Sequence, residues 1–175
     1  MSDIEIVGYQ RKYASDFALL NYQWITEFFL IEPEDNAALD HPEAYAIDKG
    51  GEIFFILDHS SGGEEVIGTA AMVPKVDAVQ ATADSGTDNP RFQVYELAKM
   101  AVLPSRQGEG LGKRLLEHCI DFARERGGKQ IVLTTNDILK PALAVYHRLG
   151  FVDLPVNPDE RYARGNLAMT LDLHN

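Results

Sequence analysis

Arg106-Gln107-Gly108-Glu109-Gly110-Leu111-Gly112 stands where a strand pattern gives way to a helix pattern. Before it, Phe92 to Val102 reads as a long strand closed by Pro104. After it, Leu111 to Arg126 reads as an amphipathic helix with Leu111, Leu115, Leu116, Cys119, Ile120 and Ala123 on one side and Gly127-Gly128 as its stop. Glycines let a backbone bend tightly and approach a ligand, and a helix N-terminus offers unpartnered N–H groups with a partial positive charge. The combination suits a phosphate, although such a turn can also serve the fold alone. A Walker-type loop needs a glycine five residues before its Gly-Lys pair and Ser or Thr after it, whereas Gly112-Lys113 has Gln107 and Arg114 in those places. The dinucleotide fingerprint also fits poorly, because Gly108, Gly110 and Gly112 alternate and sit past the middle of the chain.

Working outward, Ile4 to Val7 reads as a strand and Ala14 to Leu30 as a helix whose Phe17, Leu20, Trp24 and Phe28 face the core. Glu32 to Asp48 is acidic, carries Pro33 and Pro42, and is expected to hold turns and at most one short helix. Ile53 to Leu57 and Val66 to Val73 form an expected antiparallel hairpin, followed by a loop from Asp77 to Pro90. Beyond the central helix come a strand from Gln130 to Thr134, a helix from Pro141 to Leu149, a short strand from Phe151 to Leu154 and a last strand from Asn166 to Leu173. The strand, helix, strand order from Phe92 onward implies a right-handed crossover and one parallel strand pair in an otherwise antiparallel sheet.

With 175 residues and no repeat or linker, the chain is expected to form one domain, residues 1–175, around one core. It carries 27 acidic and 16 basic residues, a net charge of −11, which argues against a nucleic-acid backbone as partner. The same charge favours cationic substrates, although acidity also serves solubility. No apolar run is long enough for a membrane span and the N-terminus lacks a signal-peptide pattern, so no membrane partner and a cytoplasmic location are expected. The single cysteine, Cys119, fits a reducing compartment and the apolar side of its helix. His41, His59, His118, His147 and His174 show no metal-like spacing. Of these, only His147, beside Tyr146, is a candidate for proton transfer.

Gln107-Gly108-Glu109-Gly110-Leu111-Gly112 resembles the acetyl-CoA pyrophosphate loop of the GNAT superfamily of N-acetyltransferases, Gln/Arg-x-x-Gly-x-Gly/Ala. Glu96-Leu97-Ala98-Lys99-Met100-Ala101-Val102 with Pro104 is similar to the family's fourth strand, and Leu115-Leu116 to the packing positions of its third helix. Ala142-Leu143-Ala144-Val145-Tyr146-His147-Arg148-Leu149-Gly150-Phe151 is similar to its Ala-x-x-x-Tyr-x-x-x-Gly-Phe block. The detailed likeness runs from Glu96 to Phe151. It implies an α/β (α+β) GNAT fold, with a mixed, mostly antiparallel sheet of about seven strands, a central parallel pair and about four helices. It also implies acetyl-CoA as cosubstrate and transfer of its acetyl group to an amine; a homodimer is compatible with it.

Acetyl transfer to an amine needs a neutral amine, a polarised carbonyl and a proton for the departing thiolate. An aliphatic amine with a pKa near 10.4 is mostly protonated at pH 7, so a base or a water chain must take its proton. The resemblance puts Glu96 in the base position, with the alternative that Glu96 pairs with Lys99 or another cation across the sheet. It makes Tyr146 the proton donor to the thiolate, with a packed core tyrosine as the alternative. The backbone N–H groups of Met100, Ala101 and Val102 would polarise the thioester carbonyl, and Gln107, Gly108, Glu109, Gly110, Leu111, Gly112 and Lys113 would hold the phosphates. Asn136, ten residues before Tyr146 rather than the family's usual seven, departs from the pattern for a contact to the pantetheine arm. By the same resemblance the acceptor meets Trp24, Glu27, Glu32, Glu34, Asp35 and the segment Arg161-Tyr162-Ala163-Arg164. The acids suit an ammonium group and the arginines suit a carboxylate. A rival reading is a binding or interaction module on the same scaffold that uses acyl-CoA as a signal, without catalysis.

Overall fold

The computed structural model describes residues 3–75, 93–154 and 164–173. The expected loop from Asp77 to Pro90, the start of the strand at Phe92, Arg161 to Ala163 and His174 lie outside the described residues. Seven strands form one sheet: β1 (Ile4–Val7), β2 (Glu52–Asp58), β3 (Glu65–Pro74), β4 (Val94–Val102), β5 (Gln130–Thr135), β6 (Val152–Asp153) and β7 (Leu167–Asp172). Their order is β1-β2-β3-β4-β5-β7-β6, and the β4–β5 pair is parallel while the other neighbours are antiparallel. The expected mixed sheet and the parallel pair are both present.

Five helices accompany it among the described residues: α1 (Ala14–Phe28), α2 (Pro33–Leu39), α3 (Pro42–Tyr45), α4 (Leu111–Glu125) and α5 (Lys140–Arg148). The segment from Glu32 to Asp48 therefore departs from expectation, with two short helices and a 3-10 turn at Ile47–Lys49 instead of at most one helix. Pro33 and Pro42 both sit in the first turn of a helix, where the missing N–H would have no partner and the fixed φ favours the start. A reciprocal cap reinforces α2: the Glu32 side chain accepts from the third-position backbone, and the Glu32 N–H donates to Asp35 Oδ2 at 2.9 Å.

Both faces of the sheet are covered, which explains why β2 reads as a continuous apolar run rather than an alternating one. Phe54 and Ile56 join a core with Leu115, Leu116, Cys119, Tyr146 and Phe151 of α4, α5 and their surroundings. Ile53, Phe55 and Leu57 point the other way, onto Phe17, Ile25 and Leu39 of α1 and α2. On α1 the buried line is Phe17, Leu20, Asn21 and Ile25, while Trp24 is half-buried and Phe28 is 51% exposed, so the expected face is rotated. Asn21 hid the true line from a hydrophobic count. Its amide is satisfied in place, donating to the Phe17 carbonyl at 2.9 Å and accepting from Trp24 Nε1 at 3.0 Å. No helix among the described residues is long and apolar enough to cross a membrane.

Two irregularities of β4 shape the centre of the sheet. Its parallel pairing with β5 covers only Val94–Gln130, Tyr95–Ile131 and Glu96–Val132, although both strands continue, so the two part beyond Glu96. Against β3 the register passes from Ala71–Ala98 to Thr69–Ala101, leaving Lys99 and Met100 opposite the single residue Ala70. This is a β-bulge, and Lys99 occupies it with φ of 53°. A left-handed conformation suits glycine and costs a side-chain-bearing residue about 1–3 kcal/mol, so other contacts must hold it.

Candidate active site

The gap opened between β4 and β5 is bordered by two differently built walls. One is the turn leaving β4. After the 3-10 turn Pro104–Arg106, Gly108 (φ 88°) and Gly110 (φ 76°) reverse the chain in the left-handed region, and α4 starts at Leu111 with Gly110 as its N-cap. Gly110 brings no side chain to cap α4, so among the described residues the helix's first N–H groups have neither an intrahelical partner nor a side-chain cap. A Cβ placed on Gly108 or Gly110 would meet nothing within 4 Å, so the backbone there borders open space. Gly112 faces Met100, whose Cε lies 3.4 Å from where its Cβ would be, tying the helix start to β4. Gln107 Nε2 donates to the Val102 carbonyl at 3.3 Å.

Arg106 clamps this turn. Its Nη1 donates to Asp58 Oδ2 at 2.6 Å, and its Nε and Nη2 donate to the Glu109 carboxylate at 2.8 and 3.2 Å. The Glu109 side chain is thus committed to the turn itself. Hydrogen bonds from Ser60, followed by that from Arg106, hold the Asp58 carboxyl at about 2. Lys113 lies 3.9 Å from Glu117 one turn on, with its side chain half-exposed. The arrangement fits an anion such as a pyrophosphate: uncapped N–H groups, a helix dipole and space in front of them.

The other wall holds side chains far apart in sequence. Asp35 of α2 is fully buried and receives Lys99 Nζ at 2.8 Å and Arg164 Nη1 and Nη2 at 2.8 and 2.5 Å, while Arg164 also reaches Glu32 at 3.0 Å. Burial pushes the Asp35 carboxyl up, but Arg164, Lys99 and the Glu32 N–H outweigh it and hold it at about 2. The Arg164 guanidinium lies 6.0 Å from both the Trp24 and the Phe29 ring centroids. Arg164 and Asp35, expected to meet an acceptor's carboxylate or ammonium, are therefore joined to each other. Glu27 and Glu34 are exposed, and Arg161 lies outside the described residues.

The two residues expected to carry protons lie on β4 and α5. Glu96 is buried and its Oε2 lies 3.4 Å from Lys75 Nζ at the far end of β3. Lys99, offered by the sequence as its alternative partner, turns instead to Asp35, because the bulge reorients it. Tyr146 is buried on α5, packed on Phe151 with ring centroids 5.8 Å apart. Its hydroxyl makes no hydrogen bond among the described residues, and burial, then the neighbouring Cys119, push the phenol up to about 12. Burial also pushes the Cys119 thiol far up, which leaves it a core residue and a poor nucleophile. His147 points away to the exposed Asp153, at 2.9 Å. Asn136 donates to the Arg164 carbonyl at 2.6 Å and accepts from the Ile138 N–H at 3.0 Å, so its amide braces the turn before α5. Met100 and Val102 are half-buried and Ala101 is buried on the parting edge of β4. Among the described residues no group of three or more His, Cys, Asp or Glu could hold a metal ion.

The model of the Acetyltransferase (GNAT) family matches residues 18–151. The uncharacterized N-acetyltransferase YjgM of Escherichia coli K12 is 32% identical over 101 residues, covering 58% of this chain and 52% of that protein. Streptothricin acetyltransferase of Streptomyces lavendulae is 42% identical over 63 residues, 36% of this chain and 32% of its own. The chain thus spans about half or less of the length of these two curated relatives. Among solved structures, a GNAT-family acetyltransferase from Staphylococcus aureus Mu50 superposes with a TM-score of 0.79 at 19% identity, covering 98% of this chain and 99% of that one.

Proposed function

The chain belongs to the GNAT acetyltransferase family, and from that premise we propose that residues 1–175 act as one acetyltransferase domain that moves the acetyl group of acetyl-CoA to a primary amine. The observation that carries the reading is the turn from Gln107 to Lys113: two left-handed glycines deliver an uncapped helix start beside the gap where β4 leaves β5. Those backbone groups would hold the pyrophosphate, and the parted edge of β4 from Met100 to Val102 would lie along the thioester. A solved acetyltransferase of the same fold, yncA of Salmonella typhimurium, contains acetyl-CoA; it shares 20% identity and a TM-score of 0.69, covering 99% of this chain and 96% of that one.

In the proposed reaction the amine nitrogen attacks the acetyl carbon, the new C–N bond forms and the C–S bond breaks. Glu96 takes the amine's proton directly or through a water, the β4 N–H groups polarise the carbonyl, and Tyr146 gives a hydrogen bond or proton to the departing sulfur. A phenol held up at about 12 keeps its proton throughout the neutral range, as a donor must. The uncommitted hydroxyl of Tyr146 supports this role, and the burial of Glu96 beside the gap supports the other. The acidic chain and exposed Glu27 and Glu34 favour a cationic acceptor.

A thermal melt with acetyl-CoA, NAD and ATP, followed by thiol release across a panel of amines, tests the proposal. The expected outcome is a rise in Tm with acetyl-CoA alone and thiol release with at least one amine. Stabilisation without thiol release from any amine would turn the reading to an acyl-CoA sensor, and no stabilisation would remove the pyrophosphate assignment.

A further inference from the structure

Lys99 sits where a strand bulge asks for glycine. Lys99 and Met100 lie opposite Ala70 alone, and Lys99 is the one non-glycine residue with positive φ among those described. Its side chain is buried and reaches Asp35, 64 residues earlier, at 2.8 Å. Asp35 is itself over-determined. It closes the cap of α2 through the Glu32 N–H at 2.9 Å and holds Arg164, so its carboxylate is fixed before Lys99 arrives. An anchored anion on a helix and a cation in a strained backbone conformation are the two halves of a device that can hold a strand out of register.

What that device would control is the backbone next to it. In a bulge the extra residue is left out of the ladder and the strand bends. On its other edge, among the described residues, β4 has no strand partner beyond Glu96. Met100 to Val102, the stretch that would lie along the thioester, begins within the bulge and, among the described residues, has no strand on the β5 side. Ala101 and Val102 rejoin the ladder with Thr69 and Gly68 of β3, so the bulge at Lys99 sets the register in which they do so.

We propose that Asp35 and Lys99 are positioning residues for acetyl transfer, the ion pair locking the left-handed bulge so that the Met100–Val102 backbone faces the thioester carbonyl. This inference rests on the proposed acetyltransferase reading. It assigns an α2 carboxylate to the geometry of the donor site rather than to recognition of the acceptor.

Glycine provides the test, because it adopts positive φ without any side-chain partner. Asp35→Asn and Lys99→Ala should lower kcat at least tenfold with KM for acetyl-CoA changed less than threefold, since the pyrophosphate grip lies elsewhere. Combining Lys99→Gly with Asp35→Asn should recover kcat to within a few-fold of wild type even where Tm stays low. A readout without turnover comes from calorimetric Kd values for acetyl-CoA and CoA, whose ratio reports the acetyl contact. That ratio should move toward that of a contact-free site in Asp35→Asn and return in the double variant. If Lys99→Ala does not fold, Asp35→Asn alone and with Lys99→Gly decide the matter.

A double variant as slow as Asp35→Asn, or an Asp35→Asn enzyme with wild-type kcat and ratio, would overturn the positioning role while leaving the acetyltransferase reading intact. A wild type that binds acetyl-CoA but acetylates no amine would sink that reading, and the Kd ratios would still decide the bulge. A wild type that binds neither thioester nor thiol would overturn both.

Discussion

The two walls of the gap solve the same problem, a fixed polar surface, by opposite means. The turn from Arg106 to Lys113 is built from consecutive residues and mostly from backbone, with glycines at positive φ and an uncapped helix start. The facing wall is built from side chains: Asp35, Lys99 and Arg164 meet from three elements up to 129 residues apart. The backbone device keeps its shape mainly through the glycines' conformational preference, with one long-range tie from Arg106 to Asp58. A long-range ion network keeps its shape only while every partner is present, because removing one leaves a buried charge without its counterpart. Damage to the first wall should therefore appear in ligand binding, and damage to the second in stability and geometry.

The largest effect is expected at a residue that belongs to neither wall, and it sharpens the contrast by sparing both. Tyr146→Phe is expected to lower turnover by about ten- to a thousandfold, a usual share for a general acid. The loss should be uniform from pH 6 to 10, because a phenol at about 12 does not titrate in that range. Turnover against pH, with acetyl-CoA affinity unchanged, checks it; a variant as active as wild type would remove the acid role.

On the backbone wall, Gly110→Val should weaken acetyl-CoA by about tenfold or more, since a β-branched residue at φ 76° is strained and any relaxation moves the helix start. The melting temperature without ligand should fall in line with the cost of that strain, about 1–3 kcal/mol, although a Cβ there meets nothing within 4 Å. Unaltered affinity by calorimetry would mean that the phosphates bind elsewhere.

The side-chain wall should reveal itself in acid. The folded Asp35 carboxyl lies at about 2, below its ordinary value, so its contribution is complete above about pH 4 and is lost as pH falls toward 2. Wild type should lose stability over that window, and Asp35→Asn should lose less of it while being less stable at pH 7. Asp58, clamped by Arg106 at the turn, also lies at about 2 and gives both proteins a shared acid loss, so parallel profiles would mean that the Asp35 network adds none of its own. The smallest effect is expected at the rim: Phe28→Ala, on an exposed side chain, should change stability by no more than about 0.5 kcal/mol, against the reading of Phe28 as core.

The element order and the parallel pair were legible because hydrophobic period and glycine punctuation are local signals. The line Leu111, Leu115, Leu116, Cys119, Ile120 and Ala123 reads the same in sequence and in structure. Pro33 and Pro42 misled because proline marks a helix start as well as a stop, and only the backbone around it tells which. Asn21 misled because a polar residue on a buried line is recognisable only when its hydrogen bonds are seen. Tyr146, Glu96 and the glycine turn could be singled out from local motifs. The Asp35–Lys99–Arg164 network, the Arg106 clamp on Asp58 and the bracing task of Asn136 could not, since nothing in a one-dimensional pattern says which of 27 acids meets which of 16 bases. Sequence by itself determined the order of most elements and the glycine turn, because those follow from each residue's preference and its near neighbours. Tertiary structure alone decided which charges neutralise one another and where β4 bends, because ion pairing depends on distance in space and burial, and both exist only once the sheet has closed.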